Sequence, residues 1–144
     1  MWNTKDKTVN ILLVEDDEVD IMSVQRAFKK NNITNKLFIA NNGLEALALL
    51  RGDGVEPIAP LPKIVLLDIN MPKMNGIEFL QALREDPDLK AISVIILTTS
   101  GEERDIIAAY NLNVAGYVLK PIDLSDFTKA VSTLELYWSL IELP

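Results

Sequence analysis

An α/β fold is predicted: a doubly wound sheet of five parallel strands with helices on both faces. Three observations carry that prediction. Short apolar runs alternate with segments of helical period along the chain. Two of the runs, Ile64–Leu67 and Val94–Leu97, are apolar at every position, which suits parallel strands covered on both sides. Acidic, hydroxyl or basic residues follow the runs directly, at the strand ends where such sheets place their ligands.

The first strand is Ile11–Val14, and Val19, Met22, Ala27 and Phe28 give helical spacing after it. Leu37–Ala40 is the second strand. Leu44, Leu47, Ala48 and Leu50 mark the next helix, with Asn42 as an N-cap whose side chain satisfies an otherwise orphaned amide. Ile64–Leu67 is the third strand, and Ile77, Leu80, Ala82 and Leu83 mark a helix that ends near Asp86-Pro87. Val94–Leu97 is the fourth strand, with Ile106, Ile107 and Tyr110 marking a short helix beyond it. Tyr117–Leu119 is the fifth. Leu124, Phe127, Val131 and Leu134 mark the last helix, with Asp123 or Ser125 near its cap. The repeated βα unit predicts one domain over residues 1–144, with no linker.

Two segments exceed this minimal plan. Residues 52–62 form a loop between the second helix and third strand, and Pro57, Pro60 and Pro62 make it extended and stiff. Residues 136–144 are strongly apolar, and Tyr137, Trp138, Leu140, Ile141 and Leu143 suit a patch covered by another subunit.

Composition excludes several chemistries. The 144 residues are 49% hydrophobic and 24% charged, which are globular values. A net charge of -7 argues against nucleic-acid binding, which needs a basic face. With no histidine and no cysteine, internal histidine bases, thiolate nucleophiles, disulfides and zinc–thiolate sites are ruled out. No apolar run approaches membrane-spanning length and no signal-peptide core follows Met1, so a soluble cytoplasmic protein without membrane contact is expected.

In the flavodoxin-like strand order 2-1-3-4-5, the first and third strands are neighbours and the topological switch point lies between them. Their ends carry Glu15-Asp16 and Asp68. Clustered carboxylates repel each other unless a cation compensates. Oxygen donors without histidine or cysteine suit Mg²⁺. Asp16 and Asp68 are expected as direct ligands, Glu15 through water, and Asn70 through its backbone carbonyl. Thr98 ends the fourth strand with a hydroxyl and Lys120 ends the fifth with a cation. Such a set neutralises a phosphoryl group on Asp68, and charge neutralisation with positioning is most of what phosphoryl transfer requires.

Four motifs together resemble the receiver domain of two-component response regulators. They are Leu12-Leu13-Val14-Glu15-Asp16-Asp17, Leu66-Leu67-Asp68-Ile69-Asn70-Met71-Pro72-Lys73-Met74-Asn75-Gly76, Leu97-Thr98-Thr99 and Gly116-Tyr117-Val118-Leu119-Lys120-Pro121. The spacings of 30 residues from Asp68 to Thr98 and 22 from Thr98 to Lys120 match that family. The resemblance implies that Asp68 is the phosphoacceptor and that Glu15, Asp16, Asp68 and Asn70 hold Mg²⁺. It implies Thr98 as switch hydroxyl, Tyr117 as switch aromatic, Lys120 as the phosphate-contacting cation, and a cis bond before Pro121. Glu15 stands where aspartate is commoner, and Asp17 is a third acid suited to capping the first helix. The function implied is a switch rather than an enzyme, phosphorylated by a partner sensor histidine kinase. A homodimer through the fourth helix, fifth strand and fifth helix, extended by the apolar tail, is also implied. The proline-rich loop and the tail are similar to those of stand-alone response regulators serving cyanobacterial and bacterial phytochrome kinases.

Other classes fit less well. An aspartyl-phosphate hydrolase of the haloacid dehalogenase type needs a second acid where Asn70 stands. A flavodoxin-like cofactor binder needs a glycine-rich loop where Glu15-Asp16-Asp17 would repel a phosphate. A degenerate receiver acting as a fixed interaction module would lack site residues that are all present here. Taken singly, Asp16 and Asp17 are also ordinary first-turn charges, Thr98 an ordinary strand residue and Tyr117 an ordinary core residue.

Overall fold

Parallel pairing and the period-two alternation of strand side chains organise the molecule. A computed structural model describes residues 9–30, 35–69, 71, 73–98, 106–108, 111–120 and 125. The elements are β1 (Ile11–Val14), α1 (Glu18–Lys30), β2 (Leu37–Ala40), α2 (Gly43–Arg51), β3 (Ile64–Asp68), α3 (Gly76–Glu85), β4 (Ser93–Thr98) and β5 (Gly116–Leu119). The strands form one parallel sheet in the order β2-β1-β3-β4-β5, as predicted. Residues 106–108 are helical where the fourth helix is expected, and Ser125 is helical within the expected last helix. The remainder of that last helix, Asn70, Pro121 and residues 136–144 lie outside the described residues. Among the described residues, no helix is long and apolar enough to cross a membrane.

Alternation divides the sheet between two apolar layers. Leu12, Val14, Val65, Leu67, Val94 and Ile96 pack beneath Ala46, Leu47 and Leu50 of α2 and Phe79, Leu80 and Leu83 of α3. Ile11, Leu13, Ile64, Leu66, Ile95 and Leu97 pack against Val24, Ala27 and Phe28 of α1. This two-sided cover is why the central strands are apolar at every position. Burying side chains of this size contributes roughly 1.5–3 kcal/mol each before the entropy cost is counted.

The apolar spacing of α1 needs correction. At 100° per residue, Val24, Ala27 and Phe28 share one face with Ile21, whereas Val19 and Met22 fall on the opposite one. Val19 and Met22 are accordingly 72% and 55% exposed. Leu44 of α2 and Ile106 also face outward, while Phe79, fully enclosed, is a core residue the spacing omitted.

Local signals set the helix ends. Asn42 caps α2, its side chain accepting from the Glu45 amide at 2.9 Å. Asn75 and Glu78 form a reciprocal capping box at the start of α3, with contacts of 2.9 and 3.1 Å. Gly52 closes α2 in the left-handed region, at φ 77°, where a side chain would be strained. The loop over residues 52–62 is held at defined points. Ile58 enters the core and its amide donates to Leu49 O at 3.0 Å, while Asn10 Nδ2 donates to Pro60 O at 2.8 Å.

Arg84 ties α3 to the strands beyond it. Its guanidinium donates to the carbonyls of Leu112, Lys90 and Ile92, each at 2.8 Å, and of Asn113 at 3.1 Å. Those carbonyls precede β4 and β5, so one side chain fixes how both strands approach the sheet.

Candidate functional site

Parallel register brings the ends of four strands together. Glu15 follows β1 and its amide donates to Ala40 O of β2 at 2.9 Å. β3 extends one residue beyond the apolar run and ends on Asp68, opposite Leu97; β4 ends on Thr98, opposite Leu119. The Lys120 amide then donates to Thr98 O at 2.6 Å, which locks the β5 end to the β4 end.

Glu15, Asp16 and Asp68 form one cup, each offering one carboxylate oxygen within 4.8 Å of the others. Glu15 and Asp68 are buried and Asp16 is exposed, so the cup has a floor and an open lip. Lys120 Nζ reaches into it, 2.8 Å from Glu15 Oε2 and 3.1 Å from Asp68 Oδ1. It also lies 3.0 Å from Asp20 Oδ2 on α1. Glu15 Oε1 accepts from the Asp17 amide at 3.1 Å. Oε2 is wholly enclosed and meets Lys120 as an ion pair, without hydrogen-bond geometry of its own.

Charge dominates the energetics here. Burial pushes the Glu15 carboxyl up to about 7; the Lys120 contact opposes the rise and the Asp68 charge adds to it. Burial also disfavours charge on Lys120, but Glu15, Asp20 and Asp68 outweigh that and hold its pKa above the ordinary value. One ammonium therefore compensates several carboxylates, and only incompletely. A donor set of carboxylate oxygens with one enclosed, poorly satisfied oxygen fits a hard divalent cation.

Glu15 makes the stability of the fold depend on pH. Its folded pKa exceeds the unfolded value, so the folded state binds the proton more tightly. The associated stability is complete at low pH and is lost as pH rises from about 4.5 through about 7. Urea unfolding in chelator should show wild type losing a few kcal/mol, to order of magnitude, relative to Glu15→Gln between about pH 5 and 8. Parallel pH profiles for the two proteins would refute this.

Two of the remaining expected residues are also located. Thr98 is buried at the β4 end, and Tyr117, half-buried on β5, packs against the apolar layer that α2 and α3 cover. Asn70 lies outside the described residues. Asp17 is the helix cap: its Oδ1 accepts from the Val19 and Asp20 amides at 2.8 and 3.1 Å.

Two residues received no role from the sequence, although Gly76 lies within a quoted motif. Asp20 reads as an ordinary first-turn acid until Lys120 is placed beside it. Gly76 packs directly under the Asp68 backbone: a Cβ there would lie 2.6 Å from Asp68 O and 2.7 Å from Ile69 Cα. Its amide donates to Ile69 O at 2.9 Å.

A doubly wound sheet that gathers three acids and a lysine at its topological switch point defines an acid-pocket α/β domain. Residues 11–132 match the response regulator receiver domain, and the chain belongs to that family of two-component proteins. It is 43% identical over 128 residues to the response regulator Rcp1 of Synechocystis sp. (strain ATCC 27184 / PCC 6803 / Kazusa), covering 89% of this chain and 87% of that protein. Its structure is similar to the phosphorylated cyanobacterial phytochrome response regulator RcpA, with TM-score 0.75 and 36% identity over 94% of this chain and 96% of that one. It is also similar to the Mn²⁺-bound form of Rcp1, with TM-score 0.71 and 40% identity over 90% and 94% of the two chains.

Proposed function

We propose that the protein is a phosphorylation-controlled switch in which Asp68 accepts a phosphoryl group from the phosphohistidine of a partner sensor histidine kinase. The observation that carries this is the placement of Asp68: a buried carboxylate on a strand end, 3.1 Å from Lys120 Nζ and grouped with Glu15 and Asp16. An Asp68 oxygen attacks phosphorus, the P–N bond breaks as the P–O bond forms, and the imidazole leaves with the electron pair. Lys120 offsets charge on the transferred group. When bound, Mg²⁺ supplies further charge neutralisation. Asp16, Asp68 and the Asn70 carbonyl would hold it directly, with Glu15 through water. The Mn²⁺-bound form of Rcp1 supports a divalent ion at such a site.

Thr98 then turns its hydroxyl to the phosphoryl group and Tyr117 moves inward. Because Thr98 O already takes the Lys120 amide, the β4 and β5 ends respond together. The outcome is a shift between pre-existing states, read on a face of the fourth helix, β5 and the fifth helix, through which the chain pairs as a homodimer with its apolar tail. All 144 residues form one receiver domain in this scheme. Likeness to RcpA and Rcp1 supports a phytochrome kinase as the phosphoryl donor.

Acetyl phosphate with Mg²⁺ should add one hydroxylamine-labile phosphoryl group per chain, and chelator should prevent it. Mass spectrometry decides the matter; absence of uptake with Mg²⁺ present overturns the proposal.

A further inference from the structure

Lys120 touches a carboxylate that the phosphoryl chemistry does not use. Asp20 sits in the first turn of α1, where any acid suits the helix dipole without leaving solvent. Its side chain is instead only 20% exposed, with Oδ2 3.0 Å from Lys120 Nζ. Glu15, Asp20 and Asp68 crowd that ammonium at 2.8, 3.0 and 3.1 Å. A phosphoryl oxygen that reaches Lys120 therefore competes with them for its charge.

Asp20 is the exchangeable one. Glu15 Oε2 is enclosed and leans on Lys120 alone, and Asp68 carries the incoming group. Asp20 lies at the rim, and its helix turn is already capped by Asp17. Its charge acts in two opposite directions. Sharing one nitrogen with Asp68, it stands within roughly 6 Å of that carboxylate, close enough for like charges to couple. It therefore strengthens attraction for a divalent cation and repels the added negative charge of a phosphoryl group.

We infer that Asp20 is a positioning residue that parks Lys120, raising affinity for the divalent cation while opposing the phosphorylated state. The inference rests on Asp68 as phosphoacceptor. Two affinities test it in Asp20→Asn: calorimetric binding of Mg²⁺ alone, and binding of beryllofluoride at saturating Mg²⁺. Mg²⁺ should bind about three- to tenfold more weakly, and beryllofluoride tighter by about the same factor. Asp20→Ser, which removes the carboxylate with a different shape, should show the same split. A general loss of structure would weaken both affinities together; that result, no change in either, or the reverse split overturns the inference. If wild type binds no beryllofluoride and takes no phosphoryl group, the phosphoacceptor assignment itself fails and Asp20 loses this role with it.

Discussion

Asp68→Asn should abolish phosphoryl uptake, lowering labelling by acetyl phosphate more than about a thousandfold, while leaving the fold intact. The amide has the shape of the carboxylate but lacks the nucleophilic oxygen anion, and the two other carboxylates of the cup are placed differently. Asp16 is exposed and Glu15 Oε2 is enclosed against Lys120, so neither is positioned to replace it. The same substitution removes one of the clustered negative charges that help push Glu15 up. In chelator, Asp68→Asn should therefore be at least as stable as wild type, because relief of repulsion offsets the lost Lys120 contact. Full labelling of the variant, measured by mass spectrometry, would refute the assignment of Asp68. A strongly destabilised variant would refute the account of the charge balance.

Gly76→Ala should destabilise the domain by about 3 kcal/mol and lower its melting temperature by roughly 10 °C. The added Cβ meets Asp68 O at 2.6 Å and Ile69 Cα at 2.7 Å, and both are backbone atoms that cannot swing aside. Either α3 lifts from the sheet, breaking the Gly76 amide bond to Ile69 O, or the β3 end moves. The second outcome displaces Asp68 from Lys120, so phosphoryl uptake should fall along with stability. Gly116→Ala is the matched control, since a Cβ there meets nothing within 4 Å. It should change stability by no more than about 0.5 kcal/mol. Thermal unfolding of the two variants side by side tests the pair; equal stabilities would show that the close approach at Gly76 costs nothing.

The strands were legible because burial on both faces leaves a continuous apolar run, and the polar residue ending each run marks the strand terminus. The Asn42 cap was legible for a similar reason, and the capping box at α3, which the sequence reading left out, is just as local. Asn42 bonds the Glu45 amide and Asn75 trades bonds with Glu78, contacts that span only a few residues. The face of α1 was less so, because Val19 and Met22 are apolar yet point away from Val24, Ala27 and Phe28. An exposed apolar residue costs little, so composition cannot reveal which side of that helix meets the sheet.

The contacts of Arg84, Asp20 and Gly76 remained unread for a different reason. Arg84 meets carbonyls up to 29 residues away, Asp20 meets a lysine from the far end of the sheet, and Gly76 is tight only because α3 folds back onto the β3 end. Their chain neighbours contain no trace of these partners.

By itself, then, the sequence determined the α/β class and the polar groups that end the strands, with the order 2-1-3-4-5 taken as one of the few available. Those follow from local periodicity and from the few ways parallel βα units can be wound. The tertiary structure alone decided that Lys120 is shared among Glu15, Asp20 and Asp68, that Glu15 is buried deeply enough to hold its proton near pH 7, and that Gly76 must lack a side chain. Charge coupling and steric exclusion act through space over a few ångströms, between residues the chain keeps far apart.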